Sequence, residues 1–277
     1  MSDNIALCCI GRLENQYARE FVQHYLNLGI DRIFIYDNNF GDEEHFENVL
    51  KDFIDQGYVE IINYRDKVKA QMMAYNDCYA RHKNEYGWFV YCDFDEFYIF
   101  PKHGNIKDFL KEFPEDCQCV LTNWLCMTDN NLVYNDGRPL MERFTEFMPL
   151  DKCVQYQFPD NCHVKSIIKG GLDRINFCGN PHTTDTSLIA YHSNGKRCNN
   201  RPWQEIDYSN ALIKHFTTKT IQEWMQNKMK KGTADRPYDV FIQFYKDRFF
   251  KINQMTQSKL DYLKSIEGIP EPSDGIS

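Results

Sequence analysis

WFVYCDFDEF, residues 88–97, is an apolar run that ends in a cluster of acidic side chains. The apolar part is typical of a strand buried in a parallel sheet. Carboxylates next to such a run are costly unless a cation pairs with them. Asp93 and Asp95 stand two residues apart where the strand turns, so they can share one divalent cation such as Mg²⁺ or Mn²⁺. A solvated acidic turn is the alternative, and the preceding strand together with Glu96 favours the metal site.

Strands and helices alternate up to this stretch. Apolar runs and helical periodicity predict, in chain order, a strand over 5–10, a helix over 14–28, a strand over 32–36, a helix over 43–56, a strand over 59–62, a helix over 69–81 and a strand over 87–92. This order predicts an α/β fold with a doubly wound, mostly parallel central sheet flanked by helices. Ligands of such sheets bind beyond the carboxyl ends of the strands, where the polar loops should meet.

The rest of the chain is less regular. Strand-like runs at 119–124, 166–168 and 188–191 are separated by Asn, Gly and Pro turns, and helical periodicity returns over 220–231, 238–250 and 258–265. We predict one domain over residues 1–235, with a nucleotide-binding half at 1–100 and an acceptor-binding half at 101–235. Residues 236–277 are predicted to form a C-terminal helical extension.

Composition indicates an ordered globular protein without a nucleic-acid partner. Hydrophobic residues make up 42% and charged residues 26% of the chain, and the net charge is -8. A nucleic-acid binder would need a basic face. The eleven cysteines stand largely in apolar runs, as expected for buried thiols in a reducing compartment. With a polar N-terminus and no long apolar stretch, we predict a cytoplasmic protein. The aromatic segment 238–250 is a candidate for peripheral contact at the inner face of the membrane, with a packing helix as the alternative.

A single histidine is the second chemical signal. His215 follows an apolar run and precedes Lys219 and a lysine-bearing helical segment. A neutral imidazole can complete the ligand shell of Mn²⁺, and the lysines can contact phosphate. A hydrogen-bonded structural histidine and a solvated lysine face are the alternatives. Arg143 is likewise a candidate either for anion binding or for a structural ion pair.

These blocks, taken in order, resemble the GT-A glycosyltransferases of the family 2-like and family 92-like groups. The matching pieces are RLEN at 12–15, LGIDRIFIYDNN at 28–39, Gln71 with the following Ala-Tyr, DFDEF at 93–97 and HFTTK at 215–219. The resemblance implies a GT-A type, Rossmann-like nucleotide-diphospho-sugar transferase. It further implies metal-dependent, inverting transfer of a hexose from a UDP-sugar to a glycan or lipid-linked acceptor, in cell-surface polysaccharide synthesis.

The resemblance also implies roles for individual residues. The nucleotide sugar would be bound by Arg12, Glu14, Asp37, Asn39, Gln71, Asp93, Lys165 and Lys219, and Mn²⁺ or Mg²⁺ by Asp93, Asp95 and His215. Inverting transfer also needs a base that deprotonates the acceptor hydroxyl, and two residues are candidates for it. Asp185 is the first candidate because it lies in a polar loop between the two metal motifs, and Asp129 is the second. The oligomeric state is also open.

Two other classes of protein compete with this hypothesis. One is a catalytically inactive nucleotide-sugar or carbohydrate-binding protein, which the intact set of Asp93, Asp95 and His215 disfavours. The other is a metal-dependent nucleotidyltransferase or phosphohydrolase. A nucleotidyltransferase would usually carry a Gly-rich, basic loop after the first strand, and an aspartyl phosphatase would place its acidic pair there rather than after the fourth strand.

Overall fold

The computed structural model describes residues 3–148, 160–184, 187–229, 249–250 and 252–266. Within these residues, one ten-stranded sheet has the order β3-β2-β1-β4-β7-β6-β10-β5, and β8 and β9 extend it from β6. The strands are β1 (Ile5–Gly11), β2 (Arg32–Asp37), β3 (Val59–Asn63), β4 (Trp88–Tyr91), β5 (Glu96–Ile99), β6 (Cys119–Cys126), β7 (Val164–Lys169), β8 (Ala190–His192), β9 (Arg197–Cys198) and β10 (Leu212–His215).

The sheet confirms the predicted α/β class, and its two halves differ. Strands β1 to β4 are parallel, as the alternation of strands and helices requires. In the other half, β7 runs antiparallel to both β4 and β6, and β5 runs antiparallel to β10. Strand β5 begins at Glu96, directly after the acidic turn, and was not predicted from the sequence. Although β5 follows β4 closely in the sequence, it lies at the far edge of the sheet beside β10, and the neighbour of β4 on that side is β7.

The helices cover both faces of the sheet. They are α1 (Asn15–Asn27), α2 (Glu47–Asp55), α3 (Gln71–His82), α4 (Ile106–Leu110), α5 (Leu140–Arg143), α6 (Ile221–Glu223) and α7 (Gln257–Ser265). The first two and α4 bury their apolar sides against one face, and α3 covers the other. The prediction that α2 begins at Glu43 was wrong, since the helix begins at Glu47. Glu43 lies in the preceding loop, where its side chain accepts hydrogen bonds from Arg12 and from the backbone of Phe40.

Strand β1 lies at the point where the strand order reverses, between β2 and β4. The loops after these three parallel strands therefore open at one edge, which is the usual ligand edge of such sheets. Gly11 ends β1, and a Cβ added there would lie 2.6 Å from the ring of Phe94. That ring also stacks on Phe46, with centroids 5.1 Å apart. Phe94, the middle residue of the Asp-x-Asp pair, is thus fixed in the apolar core.

Several predictions concern regions that the structure describes only in part. The boundary at 235/236 and most of the predicted helix over 238–250 lie outside the described residues. Among the residues that are described, no helix is long and apolar enough to cross a bilayer. Ten cysteines are described, all of them free, and Cys178 alone among these ten is exposed.

Candidate active site

Asp95 and His215 face each other across the end of the sheet. Strand β5 pairs with β10 so that Glu96 lies opposite His215, and the backbone N–H of Phe216 donates to the Asp95 carbonyl at 2.8 Å. The His215 Nε2 atom is consequently 3.8 Å from Asp95 Oδ1, and both side chains are largely buried. The ring of Trp124 packs on the imidazole, with centroids 4.1 Å apart. Two residues separated by 120 positions in the sequence thus form one polar centre.

Two lysines approach the other oxygen of the same carboxylate. Lys219 Nζ lies 3.7 Å and Lys228 Nζ 3.4 Å from Asp95 Oδ2. Lys228 ends a π-helical turn, Trp224–Lys228, that continues α6. A small pocket opens beside both lysines, and Glu14 from the loop after β1 lies in its wall. The lining residues are Glu14, Tyr17, Thr217, Thr218, Lys219, Glu223, Trp224, Asn227 and Lys228.

Asp93 is oriented differently from Asp95. Its Oδ2 atom is 2.9 Å from Nζ of Lys165, which lies on β7 and is fully buried. Its Oδ1 atom accepts hydrogen bonds from Gln71 Nε2 at 2.5 Å and from Tyr75 Oη at 3.1 Å. The structure therefore brings Gln71, Asp93 and Lys165 together, as predicted residues of one site, but directs the Asp93 carboxylate toward Lys165.

The predicted set of three metal ligands is thus divided by the structure. Asp95 and His215 present an oxygen and a nitrogen donor to one point, and this donor pair suits Mn²⁺. In this structure Asp93 is instead paired with Gln71 and Lys165, and its role as a metal ligand stays a prediction. Two protein ligands would leave coordination positions open for diphosphate oxygens, which is the usual arrangement for cations that act on bound phosphates.

Asp37 forms the center of a network at the end of β2. One oxygen accepts from Arg65 at 2.7 Å, and the other accepts from the backbone and side chain of Asn39. Asp37, His45 and Glu47 also form a group, within the described part of the chain, whose ligand atoms lie within 4.8 Å of one another. We assign no metal site to it, because Asp37 is already paired and the other two side chains are exposed.

The loop after β1 is tied to the loop after β2. The guanidinium of Arg12 binds Glu43 through two hydrogen bonds of 2.8 and 2.7 Å and lies over the Phe40 ring. Asn39, fully buried, accepts from the backbone N–H of Leu13, whose φ is 54°. In this structure Arg12 and Asn39 thus shape the predicted nucleotide-binding edge through contacts with other protein groups.

Of the two candidate bases, Asp129 lies within the described residues and Asp185 does not. Asp185 lies outside the described residues and stays a prediction. Asp129 forms a buried ion pair with Lys259 of α7, and its backbone N–H donates to Asn253 at 2.7 Å. Burial raises the pKa of the Asp129 carboxyl, while Lys259 opposes that shift. Because the ammonium holds the carboxylate against the C-terminal helix, this environment favors a structural role for Asp129 over that of a base.

A comparison with protein families identifies the chain. The family described as "Glycosyltransferase family 92" matches residues 6–249. The chain belongs to glycosyltransferase family 92. The sequence motifs resembled both the family 2-like and the family 92-like groups, and this match confirms the second.

The relatives of this family 92 chain include plant proteins that are much longer. A glycosyltransferase family 92 protein of Ricinus communis is 31% identical over 235 residues, which cover 81% of this chain and 36% of that protein. One of Arabidopsis thaliana is 32% identical over 99 residues, which cover 35% of this chain and 17% of that protein. The matched segments thus span well under half the length of these relatives.

Two solved structures resemble the family 92 chain at low scores. The mannosyltransferase PcManGT from Pyrobaculum calidifontis, in complex with GDP-Man and Mn²⁺, has a TM-score of 0.33 and 8% identity over 46% of this chain and 36% of its own. Staphylococcal TarS, from S. aureus, has a TM-score of 0.38 and 10% identity over 60% of this chain and 47% of its own. At scores this low the α/β fold rests on the sheet order of the chain itself.

Arg143, predicted either to bind an anion or to form a structural ion pair, forms a buried ion pair with Glu223. Tyr17 donates to the same carboxylate at 2.6 Å, and neither Tyr17 nor Glu223 was assigned to the site from the sequence. One local signal was readable, because Thr220 and Glu223 have the spacing of a helix-capping box. The contacts of Arg143 and Tyr17 with Glu223 join distant parts of the family 92 chain and leave no local pattern.

Proposed function

We propose that the chain transfers a sugar from a nucleotide diphosphate donor, with a UDP-hexose as the first candidate, to a glycan or lipid-linked acceptor. The observation that carries the proposal is the grouping of Asp95, His215, Lys219 and Lys228 at the carboxyl edge of the sheet. Two cations and an imidazole around one carboxylate form a site for a divalent ion and a diphosphate together. Inversion at the anomeric carbon and a place in surface polysaccharide synthesis belong to the same proposal.

The charged side chains would bind different parts of the donor complex. Lys219 and Lys228 would bind the diphosphate oxygens and offset the negative charge that grows there as the sugar leaves. Asp95 and His215 would hold Mn²⁺ or Mg²⁺, which supplies Lewis-acid stabilisation of the departing diphosphate when bound. Glu14, in the wall of the same pocket, would limit how far the donor can move. Asp185 stays our first candidate for the acceptor base.

A donor screen tests the proposed function directly. We expect UDP release from a UDP-hexose to require Mn²⁺ or Mg²⁺ and to increase when a glycan acceptor is added. The assay is incubation with a set of UDP- and GDP-sugars, with each cation or with EDTA, and measurement of the released nucleotide. Binding of the donor without turnover would instead identify an inactive sugar-nucleotide binder. Hydrolysis with no preference for a sugar nucleotide would identify a phosphohydrolase.

The His215→Ala variant should need more Mn²⁺ to bind UDP. Loss of an outer-shell partner of a metal ligand costs about 10–100-fold in metal affinity, so loss of the ligand itself should cost at least about tenfold. The measurement is the Mn²⁺ concentration that gives half-maximal UDP binding. His182→Ala is the matched control, because His182 also packs on Trp124, with ring centroids 5.0 Å apart. Identical Mn²⁺ titrations for His215→Ala and the wild type would remove His215 from the metal site.

A further inference from the structure

A closed and buried polar network lies directly behind Lys219. Arg143 donates to both oxygens of Glu223, each at 2.9 Å, and the two side chains are 2% and 3% exposed. Tyr17 Oη donates to Glu223 Oε1 at 2.6 Å. Thr220 Oγ1 donates to Glu223 Oε2 at 2.7 Å and accepts from the Glu223 backbone N–H at 3.2 Å. One carboxylate therefore connects α1, α5 and the start of α6.

The charges of this network keep Glu223 ionised. Burial alone would raise the pKa of Glu223, but the hydrogen bonds from Arg143 and Tyr17 outweigh burial and hold that pKa below its usual range. Burial and the adjacent carboxylate also raise the pKa of the Tyr17 hydroxyl, so the proton of this hydrogen bond stays on Tyr17. A satisfied buried network of this kind fixes the geometry of the groups attached to it.

Lys219 is attached to the network at two points. It directly precedes Thr220, and its φ of 55° is in the left-handed region, which a side chain other than glycine adopts only when its surroundings hold it there. Its ammonium lies 4.6 Å from the centroid of the Tyr17 ring and 3.7 Å from Asp95 Oδ2. Tyr17 thus contacts both the carboxylate of Glu223 and the amine of Lys219.

We propose that Glu223 is a positioning residue. It holds Thr220 and Tyr17 so that the ammonium of Lys219 faces the diphosphate of the donor. The inference rests on the proposed function, because it assigns that ammonium to the diphosphate. Lys228 reaches Asp95 from the π-helical turn beyond Glu223, whereas the contacts described above link the network to Lys219 through Tyr17 and Thr220.

A double-mutant cycle separates positioning from plain structural support. The variants are Thr220→Val, which keeps the shape of the side chain without its hydroxyl, Lys219→Met, and the two combined. Thr220→Ser, which keeps the hydroxyl, is the matched control. The measurements are the affinity for inorganic pyrophosphate without metal, the affinity for UDP with Mn²⁺, and the melting temperature of each variant. We expect Thr220→Val and Lys219→Met each to weaken pyrophosphate binding by about tenfold, the effect of one charge-assisted hydrogen bond.

The decisive result is the combined variant. If the network acts through Lys219, the combined variant binds pyrophosphate as well as Lys219→Met alone, and Thr220→Ser binds like the wild type. Equal loss from Thr220→Val in both backgrounds would overturn the inference, as would a lower melting temperature with unchanged affinity. A wild-type protein that binds pyrophosphate but shows additive losses overturns the positioning role alone. A wild-type protein that binds neither pyrophosphate nor UDP overturns the proposed function as well.

Discussion

In the Asp95→Ala variant, Mn²⁺ should no longer increase the affinity for UDP, and sugar transfer should fall by about 10³-fold or more. The physical reason is that one carboxylate contacts every cationic or ligating group of the site. Its Oδ1 faces His215, and its Oδ2 faces Lys219 and Lys228. Without it, two ammonium groups remain beside the imidazole, and their charge repels a divalent cation.

The fold should survive this change. The Asp95 carbonyl accepts from the backbone of Phe216, and that hydrogen bond does not depend on the side chain. UDP affinity should be measured by calorimetry with and without Mn²⁺, together with the melting temperature. Asp55→Asn is a matched control, because it removes an acidic charge from an exposed pair with Lys51 on α2. An Asp95→Ala protein in which Mn²⁺ still strengthens UDP binding would exclude Asp95 as a metal ligand.

The first half of the fold could be predicted because its pattern is local. Apolar runs separated by amphipathic helices specify parallel strands, and β1 to β4 lie where the alternation places them. Strand β5 could not be predicted, because its partner β10 begins at Leu212, more than a hundred residues later. The antiparallel insertion of β7 between β4 and β6 is equally non-local.

The candidate site follows the same division. Asp95 and His215 were expected to meet, and the pairing of β5 with β10 brings them together. The different orientation of Asp93 could not be read from an i, i+2 spacing. It depends on Phe94, which is packed against Gly11, and on Lys165, which arrives on the antiparallel strand β7. The residue types of the site were therefore predictable from the sequence. Which carboxylate faces which cation depends on the strand order of the sheet.

Lys165 forms buried ion pairs with two of the acidic residues that follow β4. Its ammonium is fully buried, 2.9 Å from Asp93 Oδ2 and 3.5 Å from Glu96 Oε2. Burial opposes its charge, but the two carboxylates raise the pKa of Lys165 above its usual range, so it stays ionised. Burial also opposes the charge of Glu96 by raising the pKa of its carboxyl, and Lys165, 3.5 Å away, lowers that pKa in return. Lys165 is thus the cation that faces both Asp93 and Glu96.

The Lys165→Met variant should lose about 3–5 kcal/mol of unfolding free energy, because one partner of a buried ion pair is removed. For a protein of this size, that loss lowers the melting temperature by roughly 10 °C. Lys169→Met is the matched control on the same strand, since Lys169 is partly exposed and contacts a backbone carbonyl of Glu115. We expect that control to change the free energy by about 0.5 kcal/mol or less.

A second substitution tests the cause of the loss. Glu96→Gln removes one of the two carboxylates that Lys165 neutralises, so it should restore part of the stability of Lys165→Met while destabilising the wild type. Additive losses would mean that Lys165 stabilises the core through packing of its aliphatic chain. Restoration would mean that the edge of the sheet is held together by charge balance, with Asp93 kept in place by the same lysine that keeps Glu96 in the core.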